Sequence, residues 1–599
     1  MNPQQKDIVN DFCITFATVN GSGSQTANNT ILRALFKMGI PISGKNKFPS
    51  NIQGLPTWYS IRVSKDGYLG RLEQDDVLVC MNPASFENDL AFVNPGGVVL
   101  YPDDLKQPIT RTDITAYPMP VKELSRAADI SPALRDYIAN MVYVGVLAWL
   151  LHIDMDEIAH ALNHHFRGKQ KAVESNFSVA QAAYQWAGEN LTKTDPYRVE
   201  RMAPLDDYLM TDGNTAGALG SIFGGVQFVA WYPITPASTL PEALIEFLPQ
   251  YRKDPLTGKN TYAVVQAEDE LAAIGMIIGA GFGGLRSLTA TSGPGLSLMT
   301  EYAGLAYFAE VPTVIWDVQR VGPSTGLPTR TAQSDMTMAH NLGHGDTRHV
   351  MLIPGSVTEC FEFGWKAFDI AEHLQAPVFV MSDLDLGMNQ WMTLKFEYPD
   401  TALDRGKVLW EDDLEKRNGS WGRYADVDGD DIPYRTVPGN LHINAAYMAR
   451  GTGHDTQAHY SEDPQVWETN LNRLVSKYYK ARDLVPQPIL ERTSGVSQGV
   501  ISYGSSDPAV IEARDLLRQR GFNLDKLRVR ALPFTAEVED FLREHEVIYV
   551  VENNQDGQMA QLLSQEFPAL AGKLVKVAHN DGLPLSATWI VKTILKEGE

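Results

Sequence analysis

Four polar segments between residues 230 and 330 contain side chains that could hold a carboxylate and a heteroaromatic ring. Thr235, in YPITPAST, offers a hydroxyl that can donate to a carboxylate or carbonyl oxygen. Glu268, in EDELAAIG, can hydrogen-bond a ring nitrogen and so tune its protonation. The TSGPGLSL turn offers the free N–H groups of a helix N-terminus to an anion. Arg320, in QRVGPSTGLPT, can pair with a carboxylate through two parallel hydrogen bonds.

Each of these segments directly follows a short apolar run. The runs are VQFVAW, TYAVVQA, SLTA and PTVIWDV. Runs of this length, each followed by a helix-like segment, are typical of strands in a buried parallel sheet. Because ligands bind at the carboxyl ends of such strands, we expect Thr235, Glu268, the turn at 292–295 and Arg320 to face one crevice.

Each segment also has an explanation that needs no ligand. Proline-rich turns after a strand are common, so YPITP can be a structural turn. Glu268 can simply complement a helix dipole, and Gly-Pro-Gly is an ordinary connector. Arg320 follows a buried strand, where an unpaired cation is unfavourable, and it can instead form a salt bridge with Asp317. The residues alone leave these alternatives open.

Composition argues against several classes of protein. The formal net charge of -22 argues against a protein that binds nucleic acid or an anionic membrane, because such binding needs clustered Lys and Arg. The three cysteines, Cys13, Cys80 and Cys360, are too far apart to supply a disulfide framework or the ligands of a zinc or iron-sulfur site, so no metal site is expected in this chain. The apolar stretch at 141–151 is too short to span a bilayer, and no basic leader precedes it. We therefore expect a cytoplasmic protein.

Alternating strand and helix patterns predict an α/β protein with three α/β domains. The first domain covers residues 1–195 and opens with strand, glycine turn and helix in FCITFATVNGSGSQTANNTILRALFKMG. The second covers residues 205–386. Residues 387–490 have few periodic apolar runs and predict an irregular connector, and residues 491–599 form a smaller third domain.

Five strings, in one order, resemble the catalytic α subunit of the 2-oxoacid:ferredoxin oxidoreductases. They are MTDGNTAGALGSIFGG, YPITPAST, QAEDELAAIG, TSGPGLSLMTEYAGLA and DVQRVGPSTGLPTRTAQSD. The first 190 residues resemble the γ domain that is fused ahead of α in the 2-oxoglutarate-type enzymes. ALPF with VIYVVENNQDGQMAQLL resembles the transketolase-like last domain. The resemblance covers nearly the whole chain and implies that the second domain is a pyrimidine-binding, transketolase-like domain.

The resemblance implies roles for individual residues. Thr235 resembles the threonine that hydrogen-bonds the 2-oxoacid, and Arg320 resembles the arginine that holds its carboxylate. Thr329 resembles a further substrate-facing residue. Glu268 resembles the glutamate that hydrogen-bonds the aminopyrimidine of thiamine diphosphate. The implied catalytic residues are therefore Thr235, Glu268 and Arg320.

The resemblance also implies a reaction. A 2-oxoacid loses CO2 on thiamine diphosphate, coenzyme A accepts the acyl group, and iron-sulfur clusters pass the electrons to ferredoxin. The favoured substrate is 2-oxoglutarate, which would give succinyl-CoA. Pyruvate, a branched-chain or aryl 2-oxoacid, and a non-redox thiamine-dependent lyase stay open.

The chain lacks the GDG and nearby Asn-Asn pattern that holds the diphosphate and its Mg2+ in thiamine enzymes. The resemblance therefore implies a β subunit that carries this pattern and a [4Fe-4S] cluster, in an assembly of two αβ pairs. In related enzymes the γ domain is associated with coenzyme A. Gly21, Gly23 and Gln25 of GSGSQT are the contacts this implies, although the turn departs from the usual glycine-rich pattern of the family.

Overall fold

The computed structural model describes residues 7–49, 54–127, 135 and 137–597. Within these residues the chain forms three large β-sheets and one two-stranded sheet. The strands, labelled β1 to β22 in chain order, are Ile8–Val9, Asp11–Val19, Ile42–Lys47, Pro56–Ser64, Asp75–Cys80, Val93–Pro102, Thr115–Met119, Tyr197–Arg198, Tyr208–Thr211, Phe228–Trp231, Ala263–Gln266, Ser287–Thr291, Thr313–Gln319, Val350–Leu352, Pro377–Asp383, Gln390–Leu394, Ile489–Glu491, Gln498–Tyr503, Asp525–Val529, Ala531–Leu532, Val547–Glu552 and Leu574–Ala578.

Helices cover these sheets. The α-helices are Ser24–Lys37, Phe86–Ala91, Val121–Ala127, Met141–Leu151, Met155–His165, Gln170–Asn190, Gly213–Phe223, Thr239–Tyr251, Glu270–Phe282, Gly293–Leu298, Thr300–Ala309, Met336–His340, Val357–Leu374, Leu384–Met388, Glu411–Lys416, Pro464–Lys480, Asp507–Gln519, Ala536–Glu544, Gln558–Glu566 and Ala587–Glu597. The mixed α/β architecture confirms the predicted fold class.

The N-terminal sheet has the strand order β7-β6-β5-β2-β4-β3-β16-β9. Six of its strands come from the first predicted domain, but β16 and β9 come from later in the chain. β16 pairs antiparallel with both β3 and β9, and Trp391 of β16 is buried. Residues that the sequence assigns to the connector and to the second domain therefore complete the sheet of the first.

The central sheet has the order β11-β10-β12-β13-β15-β14-β20. All its strands are parallel except β20, which comes from the C-terminal region and pairs antiparallel with β14. Every residue of β12, β13 and β15 is buried. Burial on both faces is the reason why these strands have continuous apolar runs instead of an alternating pattern, and the predicted parallel sheet is confirmed.

Glycines in MTDGNTAGALGSIFGG allow the helix Gly213–Phe223 to pack closely under the central sheet. A Cβ added at Gly220 would lie 2.0 Å from the carbonyl oxygen of Phe361, in the helix Val357–Leu374. A Cβ added at Gly217 would lie 2.6 Å from the Trp316 ring of β13. A larger residue at either position would separate this helix from its neighbours.

The predicted connector is only partly irregular, because it contains the long helix Pro464–Lys480. Buried charged side chains hold this helix against the central domain. Arg473 Nη1 and Lys477 Nζ lie 3.0 Å and 2.6 Å from Glu310 Oε2. Burial on its own would raise the pKa of Glu310, but the two cations hold that pKa below its ordinary value.

The C-terminal sheet follows, with the order β17-β19-β18-β21-β22.

Candidate active site

The four polar segments follow four neighbouring strands of the central sheet. β11, β10, β12 and β13 are adjacent in that order and parallel, so their carboxyl ends share one edge. Thr235 and Arg320 come into direct contact there, because Arg320 Nη1 donates a hydrogen bond of 2.7 Å to the carbonyl oxygen of Thr235. The edge therefore has the arrangement that binds ligands in open α/β sheets.

Arg320 is the most constrained side chain at this edge. It is only 7 % exposed, and its Nε has no hydrogen-bond partner in the described part of the chain. Asp317 does not form the salt bridge considered from the sequence, since no carboxylate among the described residues lies within 4 Å of the Arg320 nitrogens. Burial lowers the pKa of Arg320, while Asp335 and Glu270 act in the opposite direction. A buried guanidinium with free donors is suited to hold an anion.

A cavity of about 420 Å³ opens in front of Arg320 between the central and C-terminal regions. Its lining includes Gly293, Pro294, Ser297, Arg320, Val321, Gly322, Pro323, Ser324, Ser334, Asp335, Met338, Gln555, Asp556, Gln558 and Asn580. Asn580 Oδ1 is buried without a described partner, as is Nε of Arg320. The cavity thus has a buried cation and an unsatisfied amide oxygen in its wall, and a polar ligand could pair with both.

The turn that presents Thr235 is fixed by a residue that the sequence analysis missed. Asn214 is fully buried, and its Nδ2 donates to the carbonyl oxygen of Pro236 at 2.9 Å and to Thr239 Oγ1 at 2.7 Å. The backbone N–H of Ile234 donates to Ser238 Oγ at 2.9 Å. The sequence did contain a sign of this role, because Asn214 is the one asparagine in the apolar helix Gly213–Phe223 and a buried amide needs hydrogen-bond partners.

Glu268 lies at the carboxyl end of β11 but does not line the cavity of Arg320. Its side chain is exposed and forms no hydrogen bond or ion pair with the residues that the structure describes. The helix that follows is capped by Asp269, whose Oδ1 accepts from the N–H of Ala272 at 2.7 Å. Since Asp269 supplies the cap, Glu268 is left with a free carboxylate at the sheet edge.

The glycine turn after β12 has a packing explanation. A Cβ added at Gly293 would lie 2.7 Å from Asp335 Oδ2, and a Cβ added at Gly295 would lie 2.1 Å from Thr291 Oγ1 and 2.8 Å from Glu270 Oε1. Side chains are therefore excluded at both positions. These glycines bring the buried acids Glu270 and Asp335 close to the edge that carries Arg320.

The C-terminal region holds the wall of the cavity in place through its VENNQDGQ string. The N–H of Gln333 donates to the carbonyl oxygen of Asn553 at 2.7 Å, and Asn554 Nδ2 donates to the carbonyl oxygen of Gln333 at 3.0 Å. Gln558 Nε2 donates to the carbonyl oxygen of Ser334 at 2.6 Å. The segment that leads to Asp335 is thus fixed by hydrogen bonds from a different domain.

Thr329 does not share the cavity of Arg320. The chain turns back between the two residues, with Val321 bridged to Leu327, and Thr329 lines a second cavity of about 410 Å³. This cavity lies between the N-terminal, central and C-terminal regions. Its basic side chains are Lys45, Lys47, Arg62, Arg71 and Arg330.

Three of these cations are not part of an ion pair. Lys47, Arg71 and Arg330 form no ion pair with any described residue, whereas Lys45 pairs with Asp385 at 2.7 Å and Arg62 pairs with Glu512 at 3.2 Å. Burial lowers the pKa of Lys47, and the charges of Arg330 and Arg71 lower it further. The lining also includes the carboxyl groups of Glu73, Asp75 and Asp89, but the three cations that no carboxylate pairs with can still contact an anionic ligand.

Gly21, Gly23 and Gln25 line neither cavity. Gly21 and Gly23 lie in the turn before the helix Ser24–Lys37, in which Gly23 has a φ of 81°, and Gln25 is an exposed residue in the first turn of that helix. Gln25 Nε2 donates only to Asn29 Oδ1, at 3.4 Å. The glycine at position 23 is explained by its left-handed backbone, and the implied contact with coenzyme A stays a prediction.

The described residues contain no group of three or more His, Cys, Asp or Glu side chains that could hold a metal ion. Cys13, Cys80 and Cys360 are all buried free thiols. No described helix has the length and apolar character that crossing a bilayer requires.

Comparisons with known proteins show the family of this chain. The thiamine diphosphate-binding domain of the pyruvate flavodoxin/ferredoxin oxidoreductases matches residues 219–418, and the pyruvate ferredoxin/flavodoxin oxidoreductase domain matches residues 13–186. The α subunit of 2-oxoacid:ferredoxin oxidoreductase 1 from Sulfurisphaera tokodaii is 30 % identical over 91 % of this chain and 91 % of its own length. The chain belongs to the 2-oxoacid:ferredoxin oxidoreductase family. Its relatives are named as α subunits, so the family member described here is one part of a larger enzyme.

Two relatives in this family are of the 2-oxoglutarate type. The 2-oxoglutarate oxidoreductase subunit KorA of Mycobacterium tuberculosis is 28 % identical over 94 % of this chain and 88 % of its own length. The solved structure of 2-oxoglutarate:ferredoxin oxidoreductase from Magnetococcus marinus, with 2-oxoglutarate, coenzyme A and succinyl-CoA bound, is 28 % identical, covers 100 % of both chains and has a TM-score of 0.87.

Proposed function

We propose that this chain is the catalytic α subunit, with a fused γ domain, of an enzyme that converts 2-oxoglutarate, coenzyme A and oxidised ferredoxin reversibly into succinyl-CoA, CO2 and reduced ferredoxin. The observation that carries the proposal is the buried Arg320, which touches the Thr235 turn and keeps unpartnered donors beside a cavity. The 2-oxoglutarate type is favoured by the Mycobacterium tuberculosis and Magnetococcus marinus relatives.

Arg320 would hold the carboxylate next to the oxo group. One of its nitrogens is already fixed by the carbonyl oxygen of Thr235, which sets the plane of the guanidinium. The remaining donors are then oriented for a carboxylate before the substrate arrives, and such preorganisation favours reaction as well as binding. The hydroxyl of Thr235 has no described partner and can donate to the oxo group.

Glu268 fits the requirement for a group that holds the aminopyrimidine of thiamine diphosphate, because its exposed carboxylate is free at the end of β11. When bound, thiamine diphosphate supplies the nucleophilic carbon and the electron sink for decarboxylation. Glu268 would hold a proton at the pyrimidine ring nitrogen and so act as a general acid–base group. A β subunit would hold the diphosphate, Mg2+ and the [4Fe-4S] cluster. Ferredoxin would bind to the complex of the α and β subunits.

Coenzyme A would bind in the second cavity, which Thr329 lines. Its phosphates carry several negative charges, and Lys47, Arg71 and Arg330 offer positive charges that form no ion pair with a described carboxylate. The cavity also includes Trp58 and Phe92, which can contact the apolar parts of the ligand. Thr329, also in this cavity, and the turn at Gly21, Gly23 and Gln25 are kept as proposed contacts with the substrates and coenzyme A.

The test uses the complex in which the chain purifies with its partner. Ferredoxin reduction is measured with coenzyme A and either 2-oxoglutarate or pyruvate, and 2-oxoglutarate is expected to give the higher kcat/KM. Arg320→Ala should lower kcat/KM for the 2-oxoacid by about tenfold to more than a hundredfold, the range for losing a charge-assisted hydrogen-bonded pair. Arg520→Ala, which removes an exposed arginine, is the matched control. Equal kcat/KM in both variants would refute the role of Arg320.

A further inference from the structure

Two buried carboxyl groups contact each other behind the cavity of Arg320. Asp317 of β13 is 0 % exposed, and no described N–H or hydroxyl group donates to either of its carboxyl oxygens. Asp335 is 9 % exposed, and its Oδ2 is equally without such a donor. The two carboxyl groups act on each other, and each affects the pKa of the other. A hydrogen bond between two carboxyl groups needs a proton on one of them, because an ionised carboxylate only accepts hydrogen bonds.

The position of Asp335 is fixed by its surroundings. Its backbone N–H donates to Gln319 Oε1 at 3.0 Å, and Gln319 Nε2 donates to the carbonyl oxygen of Ser382 at 3.1 Å. Gly293 leaves no room on the other side, since an added Cβ would lie 2.7 Å from Asp335 Oδ2. Asp335 is therefore held against Asp317 while it lines the same cavity as Arg320.

Burial makes the charge of this pair sensitive to pH. Burial raises the pKa of Asp335 to about 7, although the hydrogen bond with Asp317 and the charge of Arg320 both lower it. Burial and the neighbouring Asp335 keep the pKa of Asp317 well above its ordinary value. Arg320 is the charged group that acts on the pair, and Glu270 acts on Arg320 in turn. Because both pKa values are raised, the pair holds more protons at low pH and gains negative charge as the pH rises.

We propose that the Asp317–Asp335 pair takes up a proton from solvent when the carboxylate of a 2-oxoacid binds at Arg320, so that Asp335 acts through Arg320 as a positioning residue that sets the affinity for substrate. The inference rests on the proposed function, because it requires that Arg320 holds the substrate carboxylate. Two anions beside one buried arginine repel each other, and an O–H bond formed on Asp335 removes one of the two charges. A 2-oxoacid therefore binds more tightly as the pH falls through neutrality.

Calorimetry on the purified complex tests this with glutarate, a dicarboxylate that lacks the reactive oxo group. Titrations near pH 7 in buffers of different ionisation enthalpy report the protons taken up on binding. The wild-type complex should take up a fraction of one proton, and its Kd should weaken with rising pH by up to about tenfold per unit. Asp335→Asn should show no uptake and a Kd independent of pH. Asp317→Asn keeps an N–H donor to Asp335 and should shift the pH dependence to lower values.

Asp540→Asn removes an exposed acid and is the control for the change in net charge. Proton-free binding of glutarate to the wild type, or a wild-type pH profile in Asp335→Asn, would overturn the inference. Infrared titration of the unliganded complex measures the protonation of the pair independently of ligand binding. A carboxylic acid band that titrates near neutral pH should be present in the wild type and absent in Asp335→Asn. A complex that shows this band and binds glutarate with proton uptake, but reduces no ferredoxin with any 2-oxoacid, would refute the proposed function and leave the proton coupling standing.

Discussion

Replacing Asn214 by alanine should loosen the turn that presents Thr235 and so weaken the substrate site without contact to any ligand. The side chain is fully buried and supplies the hydrogen bond to the carbonyl oxygen of Pro236 and one to the hydroxyl of Thr239. The Pro236 carbonyl would lose its donor in a buried place. Leaving such a group unsatisfied lowers the free energy of unfolding by about 1–3 kcal/mol.

The effect on activity should exceed what this loss of stability explains. The carbonyl of Thr235, one residue before Pro236, fixes the guanidinium of Arg320 at 2.7 Å. A shift of the turn moves both groups that would hold the 2-oxoacid, and a misplacement of about 1 Å can lower a rate about a hundredfold. We expect kcat/KM for 2-oxoglutarate to fall by about tenfold to a hundredfold.

Asn176→Ala is the matched control. Asn176 is also a buried helical asparagine, and its Nδ2 donates to the carbonyl oxygen of Ala172 at 2.8 Å, but it lies in the N-terminal region. Both variants are compared by urea unfolding and by ferredoxin reduction in the assembled complex. If the two variants lose similar stability and have the same kcat/KM, the turn does not position the substrate and the reasoning fails.

Three further changes test other parts of the molecule. Glu268→Gln should lower kcat by about 10²- to 10⁴-fold with an unchanged Tm, because the side chain is exposed and would act only on the cofactor; a kcat within twofold of wild type would contradict this. The combined change of Lys47 and Arg330 to alanine should raise KM for coenzyme A and leave KM for 2-oxoglutarate unchanged, as measured by steady-state kinetics, and the opposite pattern would contradict the assignment. Glu310→Gln should lower the free energy of unfolding by about 3–5 kcal/mol, since it leaves two buried cations unpaired. Because the pKa of Glu310 is depressed in the folded protein, its contribution is present above the ordinary pKa of 4.5 and is lost as the pH falls below it, so urea midpoints of wild type and variant should converge in acid.

The parts of the fold that were predictable from the sequence are those in which one local pattern has one physical cause. The runs that became β10, β12 and β13 are apolar because both faces of a parallel sheet are buried, and each ends where the chain reaches the polar edge. β11 lies at the edge of the sheet and has no buried residue. Thr235 and Arg320 were therefore predicted to share an edge, and the structure brings them into contact.

Other parts depended on pairings between distant segments, and no local pattern encodes these. β16 is a five-residue strand in a polar region, and its partners β3 and β9 lie far away in the sequence. Thr329 is nine residues from Arg320 but faces another cavity, because a tight turn that bridges Val321 to Leu327 reverses the chain between them. Asp335 was not singled out, since an acid near a helix start normally serves as a cap.

The cavity of Arg320 contains a buried cation and a buried acid that must stay close without pairing, and this explains why the C-terminal domain is needed to hold the acid in place. Arg320 and Asp335 are both buried, so each must be held at a distance where their charges interact without the acid occupying the donors that a substrate needs. The central sheet positions Arg320 through β13, but the segment before Asp335 has no strand of its own. Hydrogen bonds with Asn553, Asn554 and Gln558 supply this support. The C-terminal domain would thus set the affinity for substrate by fixing an acid that belongs to the central domain.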